Sequence, residues 1–247
     1  MAYLARNRRA TPTELAEALG MTKSTTYRLV ERLRQGGWVH TEGYAGNVRL
    51  GPSAAQLAAA ATATPLRDVA LPALKDLLAF TRETVSLAVP NELSMIFIHR
   101  ERGPQPVGVS AELGAARPLH STSVGRAYLA ALPDDQCQRV LDELVRSPDS
   151  PVTAATLPEL EDVLRLTRRR GWSSDQREFD RSSCCCGAAI RDHTGTPIAA
   201  ISVAGVAERM EPELESVGPM VQKTAQLISE QLGWLPKEES AGPGDLG

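Results

Sequence analysis

With 247 residues, 42% of them apolar and 23% charged, the chain is long enough for a small domain beside a larger one. Its longest apolar-looking run, Leu57 to Ala63, is alanine-rich and far too short to cross a bilayer, and no apolar leader precedes a small-residue cleavage site, so no membrane role and a cytoplasmic location are expected. The formal net charge of −3 hides an asymmetry: residues 1–60 carry eight Lys/Arg against four Asp/Glu, the remainder nineteen against twenty-six, and a basic head on an acidic body suits a polyanionic partner.

Thr11, Pro12 and Glu14 spell a capping box with proline at the first helical position, so a helix starts there, turns Leu15, Ala16 and Leu19 inward and stops at Gly20. Thr22 then caps a second helix whose Leu29, Val30 and Leu33 face the first, while Lys23, Ser24, Thr25, Tyr27 and Arg28 point away. Gly36 and Gly37 end it. Trp38 to Thr41 and Asn47 to Leu50 read as two strands around the turn Gly43 to Gly46.

Two short helices and a β-ribbon make a winged helix-turn-helix, whose natural partner is double-stranded operator DNA. A helical subdomain used only for packing shares the pattern but has no need of the basic charge. Thr22, Lys23, Ser24, Thr25, Tyr27 and Arg28 are the candidate groove and phosphate contacts, with Asn47 and Arg49 of the wing for the flanking backbone or minor groove. One head covers too few base pairs for a specific site, so a homodimer or homotetramer is expected. Ala2 to Arg9 supply only about two turns of first helix. Either Met1 is not the biological start or the head is trimmed.

After Gly51-Pro52, Ser53 to Ala63 reads as an alanine-rich linker helix closed by Pro65. The expected division is a DNA-binding head at 1–51, a linker at 52–65, a larger domain at 66–235 and an acidic, disordered tail at 236–247. In the larger domain Leu66, Val69, Ala70, Leu74, Leu77 and Leu78 repeat with helical period as far as Thr81. Strands follow at Val85 to Val89, Met95 to Arg100 and Pro106 to Ser110, then a loop at Glu112 to Pro118. Helices are expected at Ser123 to Leu132, Pro133 to Val145 and Leu157 to Arg169. A hairpin, Cys185 to Arg191 with Ile198 to Ala204, turns at Asp192 to Thr196, and Glu211 to Leu232 closes the domain as a helix. The fold class is α+β in two domains, the second an α/β sensor-type domain on a mainly antiparallel sheet.

Four stretches carry a resemblance: TELAEALGMTKSTTYRLVERL, NVRLGP, GAARPLHSTSVGRAYLA at 114–130 and RRGWSSDQREFDRSSCCCGAAIRDHTGTPIAAISVAG at 169–205. Together, in register over almost the whole chain, they resemble the pattern of IclR-type transcriptional regulators. The resemblance implies a GAF-like effector domain, dimer or tetramer assembly and a small organic acid or related metabolite as ligand. It implies a pocket with Ser123 and Val124 on one side, Asp175, Cys185 and Ser202 opposite and Val109 as a further wall position, with no cofactor.

The same residues make chemical sense by themselves. Thr122 is placed to cap the helix from Ser123, whose backbone N–H groups then form a positive end that suits a carboxylate. Asp175 either bonds the ligand or braces backbone donors. Two positions depart from the family pattern: Ala204 replaces the second serine of a Ser-Val-Ser-Gly strand, and Arg117 stands before Pro118 where an apolar residue is usual. Arg117 either turns inward toward a second acid group on the effector or is a solvated loop arginine.

Cys184, Cys185 and Cys186 alternate faces on a strand and cannot reach one tetrahedral ion, so no metal is expected. His120 reads as a buried, hydrogen-bonded histidine holding the loop before Ser123, and Arg168 to Arg170 as a cationic helix C-cap. Two rival functions stay open: a small-molecule enzyme using Cys185 and Asp175, and a protein-interaction module whose winged head never meets DNA.

Overall fold

Thr11 nucleates the first ordered turn as its spacing requires: Glu14 N donates to its hydroxyl at 3.2 Å, and the Glu14 carboxylate accepts from Thr11 N at 2.7 Å. The computed structural model describes residues 1–42, 46–62, 65–109 and 112–235, so most of the wing turn and the tail expected to be disordered lie outside the described residues. Contacts divide the chain into two units, Met1–Thr64 and Pro65–Gly247.

The first unit runs α1 (Ala2–Asn7), α2 (Pro12–Ala18), α3 (Lys23–Gln35), β1 (Val39–Glu42), β2 (Asn47–Leu50) and α4 (Pro52–Thr62). Leu4, Ala10, Leu15, Val30, Val39 and Val48 form its core, and Ala10 and Val48 exchange two backbone hydrogen bonds that tie the chain before α2 to the wing. Gly20, with φ +60°, makes the left-handed turn between α2 and α3. Leu19 and Leu29, expected inside, are exposed. Leu19 sits at the C-cap beyond the last helical turn, and Leu29 is rotated about 100° from the inward stripe of Thr26 and Val30. Pro65 does not close the linker helix; it opens the next one, where its missing N–H costs nothing.

The second unit runs α5 (Pro65–Thr81), β3 (Thr84–Asn91), β4 (Ser94–Glu101), β5 (Ala116–Pro118), α6 (Ser123–Ala131), α7 (Asp134–Arg146), α8 (Leu157–Arg170), β6 (Ser173–Gln176), β7 (Ser183–Arg191), β8 (Pro197–Val206), α9 (Ala207–Met210), a 3-10 turn (Glu211–Glu213) and α10 (Leu214–Gln231). Its sheet has the order β5-β4-β3-β8-β7-β6, with every neighbouring pair antiparallel. Leu87, Ile190 and Ile201 on one face pack with Leu74 of α5 and Val221 and Ile228 of α10. On the other face Ala88, Met95 and Ala200 pack with Val124 and Leu129 of α6, Leu141 of α7 and Leu164 of α8. Each fully buried Leu or Ile contributes about 1.5 to 3 kcal/mol.

Two expectations are corrected, and one strand was not foreseen. Residues 106–109 are irregular, and the edge strand is β5, inside the expected loop. The strand β6 carried no apolar alternation because its inward residues, Ser173 and Asp175, are polar. The closing helix begins at Leu214, after α9 and the 3-10 turn, not at Glu211. Among the described residues no helix is long and apolar enough to cross a membrane.

Candidate functional site

In the first unit, α3 presents its N-terminal turns to solvent. Thr22 caps it, accepting from Thr25 N at 3.3 Å, and the two hydroxyls lie 2.9 Å apart, so both are partly engaged in holding the helix start. Lys23, Ser24, Tyr27 and Arg28 are exposed, Tyr27 by 57% despite its ring. On the wing Asn47 is half-buried opposite Glu42, and Arg49 is paired with Glu42 at 2.6 Å. The pair is exposed on both sides, so it holds Arg49 only weakly.

In the second unit the strand register builds a polar floor. Thr84, Ala204, Cys185 and Asp175 stand in one row across β3, β8, β7 and β6, and Ser86, Ser202, Gly187 and Ser173 in the next. The start of α6 presses on this second row, where Ser173 Oγ donates to Ser123 O at 2.5 Å. Thr122 caps α6, accepting from Gly125 N at 3.3 Å and donating to Pro118 O at 2.7 Å. The N–H groups of Ser123 and Val124 have no helical acceptor and lie at the positive end of the helix.

Between floor and helix lies a cavity of about 70 Å³. It has space for roughly five water molecules, the size of a three- to five-carbon acid. Val109, Ser123, Val124, Asp175, Cys185 and Ser202, singled out from the sequence, all line it. So do Ser86, Phe97, Arg117 and Phe179. Ser86, Ser123 and Ser202 are only 2 to 3% exposed, yet among the described residues their hydroxyls make no hydrogen bond within the protein. These hydroxyls open on the cavity and keep their bonding capacity for whatever occupies it.

Asp175 lines the cavity and also braces its wall: its Oδ1 accepts from Glu178 N at 2.9 Å and Phe179 N at 3.3 Å, fixing the turn after β6. Burial raises its carboxyl above the ordinary range despite those bonds. Burial first, and the Asp175 charge second, push the Cys185 thiol well above its usual value, so it is neutral and a poor nucleophile. Cys184 and Cys186 point to the other face, into the core beside α5 and α10.

Arg126 ties these pieces together. From α6 it donates to His120 O at 2.7 Å and Ser174 O at 3.0 Å, and grips the Glu178 carboxylate with two nitrogens. His120 departs from expectation: its Nδ1 is buried without a partner, and its backbone carbonyl, not its ring, holds the loop. Arg168 and Arg170 reach beyond their own helix end, to Ala130 O and Trp172 O, and Arg170 stacks 3.5 Å from the Trp172 ring centroid.

The family model described as the bacterial transcriptional regulator IclR C-terminal domain matches residues 58–230, and the IclR helix-turn-helix domain matches 1–43. The chain belongs to the IclR family of transcriptional regulators. Its IclR-family relatives include the HTH-type transcriptional repressor AllR of Klebsiella pneumoniae, 30% identical over 223 residues covering 90% of this chain and 82% of that protein. The transcriptional repressor IclR of Escherichia coli (strain K12) is 30% identical over 227 residues, 90% of this chain and 83% of that one. The crystal structure of the Thermotoga maritima IclR matches with TM-score 0.68 and 26% identity over 92% of each chain. An IclR homolog from Microbacterium hydrocarbonoxydans complexed with 4-hydroxybenzoate matches with TM-score 0.75 and 25% identity over 91% of each chain.

Ala204 and Arg117, singled out in the sequence as departures from the resemblance, both line the cavity. Ser86 and Phe97 were not marked in the sequence. A serine and a phenylalanine on separate strands give no local signal, and only the β3–β8 and β3–β4 registers bring them to the site.

Proposed function

We propose that this protein is a ligand-responsive regulator that binds operator DNA as a homo-oligomer and is tuned by a small carboxylate bound beside the start of α6. The observation that carries this reading is the set of three serine hydroxyls, without hydrogen-bond partners among the described residues, that line the cavity at a helix N-terminus. A carboxylate accepts from backbone N–H groups and hydroxyls together, and the helix dipole favours its charge. The 4-hydroxybenzoate bound by the Microbacterium homolog supports an acid ligand. The repressor relatives support the DNA-binding role.

In this reading residues 1–51 are the reading head, 52–65 the linker and 66–235 the effector domain. Lys23, Ser24, Tyr27 and Arg28 contact the groove, Thr22 and Thr25 hold the helix start, and Asn47 and Arg49 meet the flanking backbone. A homodimer or homotetramer supplies paired heads for half-sites about one helical turn apart, and the location is cytoplasmic. The rival cysteine enzyme is disfavoured by a protonated Cys185 thiol and by the commitment of Asp175 Oδ1 to two backbone donors.

Isothermal calorimetry of the full chain with a panel of small carboxylates, coupled to fluorescence anisotropy on an operator, tests the proposal. Ser202→Ala should weaken the acid by about 0.5 to 1.5 kcal/mol while leaving DNA binding of the free protein intact. Equal binding of a DNA-modulating acid to Ser202→Ala and to Val124→Trp places the site elsewhere. Turnover of the acid would establish the enzyme instead.

A further inference from the structure

β5 and β6 are the opposite edges of the six-stranded sheet, yet residues from beside each of them meet over the cavity. The Arg117 guanidinium of β5 lies 5.0 Å from the ring centroid of Phe179, in the loop after β6, and 5.3 Å from that of Phe97 on β4. Two rings within about 6 Å hold it by cation–π attraction. Rings accept no in-plane hydrogen bond, so the donors at the edge of the guanidinium are left for another group.

Among the described residues no side chain takes them. Among the described residues no carboxylate lies within 4 Å of Arg117, and its one hydrogen bond is from Nη1 to the neighbouring Ala116 O at 3.1 Å. Asp175 Oδ1 is committed to Glu178 N and Phe179 N, and Asp180 Oδ1 to the Ser182 N and hydroxyl at 2.8 and 2.7 Å. Glu112 acts on Arg117 only beyond ion-pair distance. Burial pushes the guanidinium below its ordinary pKa, and the neighbouring Cys185 and Glu112 offset that only in part. Arg126 shows the contrast: it is the more deeply buried of the two, and Glu178 satisfies it with a two-pronged pair.

Building on the reading that the cavity takes an acid, we infer that the effector is dianionic, with one carboxylate at the start of α6 and a second held edge-on by Arg117 between Phe97 and Phe179. The first carboxylate meets the Ser123 and Val124 N–H groups. The second finds a planar fork whose geometry matches it, as a monoacid cannot.

The test is calorimetry on the full chain with carbon-matched pairs, butyrate against succinate and valerate against glutarate, in wild type, Arg117→Leu, Arg117→Lys and Ser202→Ala. In wild type the diacid of at least one pair should bind tenfold or more tighter than its monoacid, the scale of a charge-assisted hydrogen bond. Arg117→Leu should abolish that preference with little change for the monoacid, Arg117→Lys should restore part of it, and Ser202→Ala should weaken both members alike. Monoacids that match or exceed their diacids in wild type, with Arg117→Leu indifferent to both, would show that Arg117 is only a clasp and overturn the inference while the acid site stands. Binding insensitive to Ser202→Ala, or no binding by any of the four acids, would overturn the site reading itself and this inference with it.

Discussion

Gly187 on β7 and Ser123 at the start of α6 are in direct backbone contact: a Cβ at Gly187 would fall 2.7 Å from both the carbonyl carbon and oxygen of Ser123. The missing side chain lets the helix N-terminus rest on the sheet, and Ser173 Oγ then locks it by donating to the same carbonyl. The cavity exists because of this approach. Gly187→Ala should displace the start of α6, destabilising the domain by about 1 to 3 kcal/mol, the usual cost of overpacking. Urea unfolding would read the loss, and calorimetry a parallel fall in acid affinity. An unchanged midpoint and affinity would mean the contact is slack.

The Arg126–Glu178 pair predicts a pH dependence. Burial works against the Glu178 charge, but the hydrogen bonds and charge of Arg126 outweigh it and hold this carboxyl below its ordinary value. A carboxylate depressed on folding adds stability that is fully present above its unfolded pKa, about 4.3, and lost as pH falls through the folded value. The advantage of wild type over Glu178→Gln should thus be complete at pH 6 and shrink below about pH 4. Half-exposure of Glu178 keeps it to about 1 to 2 kcal/mol. Asp175, with its raised pKa, contributes in the opposite direction and is common to both proteins, so the difference between their pH–stability curves isolates Glu178. A constant difference from pH 3 to pH 7 would refute the assignment.

On α3, Lys23→Ala or Arg28→Ala should cost about 1 to 3 kcal/mol of operator affinity where the side chain reads a base, and relax specificity there. A phosphate contact gives a sequence-independent loss and a salt dependence shallower by about one unit. Anisotropy at several salt concentrations separates the two. Unchanged affinity in both variants would reassign the recognition helix.

A thiol raised by burial and by Asp175 should react slowly. Iodoacetamide at pH 7 is expected to modify Cys185 at least tenfold more slowly than free cysteine, whose thiolate is already a small fraction at that pH. Mass spectrometry after peptide mapping distinguishes it from Cys137, Cys184 and Cys186, which are buried in the cores. Fast modification of Cys185 would revive the nucleophile reading.

Local physics was legible in the chain. The Thr11–Glu14 box, the Thr22 and Thr122 caps and the apolar stripe of α5 depend on contacts three or four residues apart, so spacing alone determined them. The family pattern in turn marked the six cavity residues from Val109 to Ser202. What tertiary structure decided lay where that local signal fails. β6 shows no apolar alternation because Ser173 and Asp175 face the polar floor below α6. Ser86 became a site residue only through its pairing with Ser202 across β3 and β8. Arg117 is the sharpest case: beside a proline in a short polar stretch, a solvated and an inward arginine look alike in sequence. Its state was decided by Phe97 and Phe179, 20 and 62 residues away, which the sheet brings within cation–π reach of it. Stacking is a long-range contact with no sequence period, so no reading of neighbours reveals it.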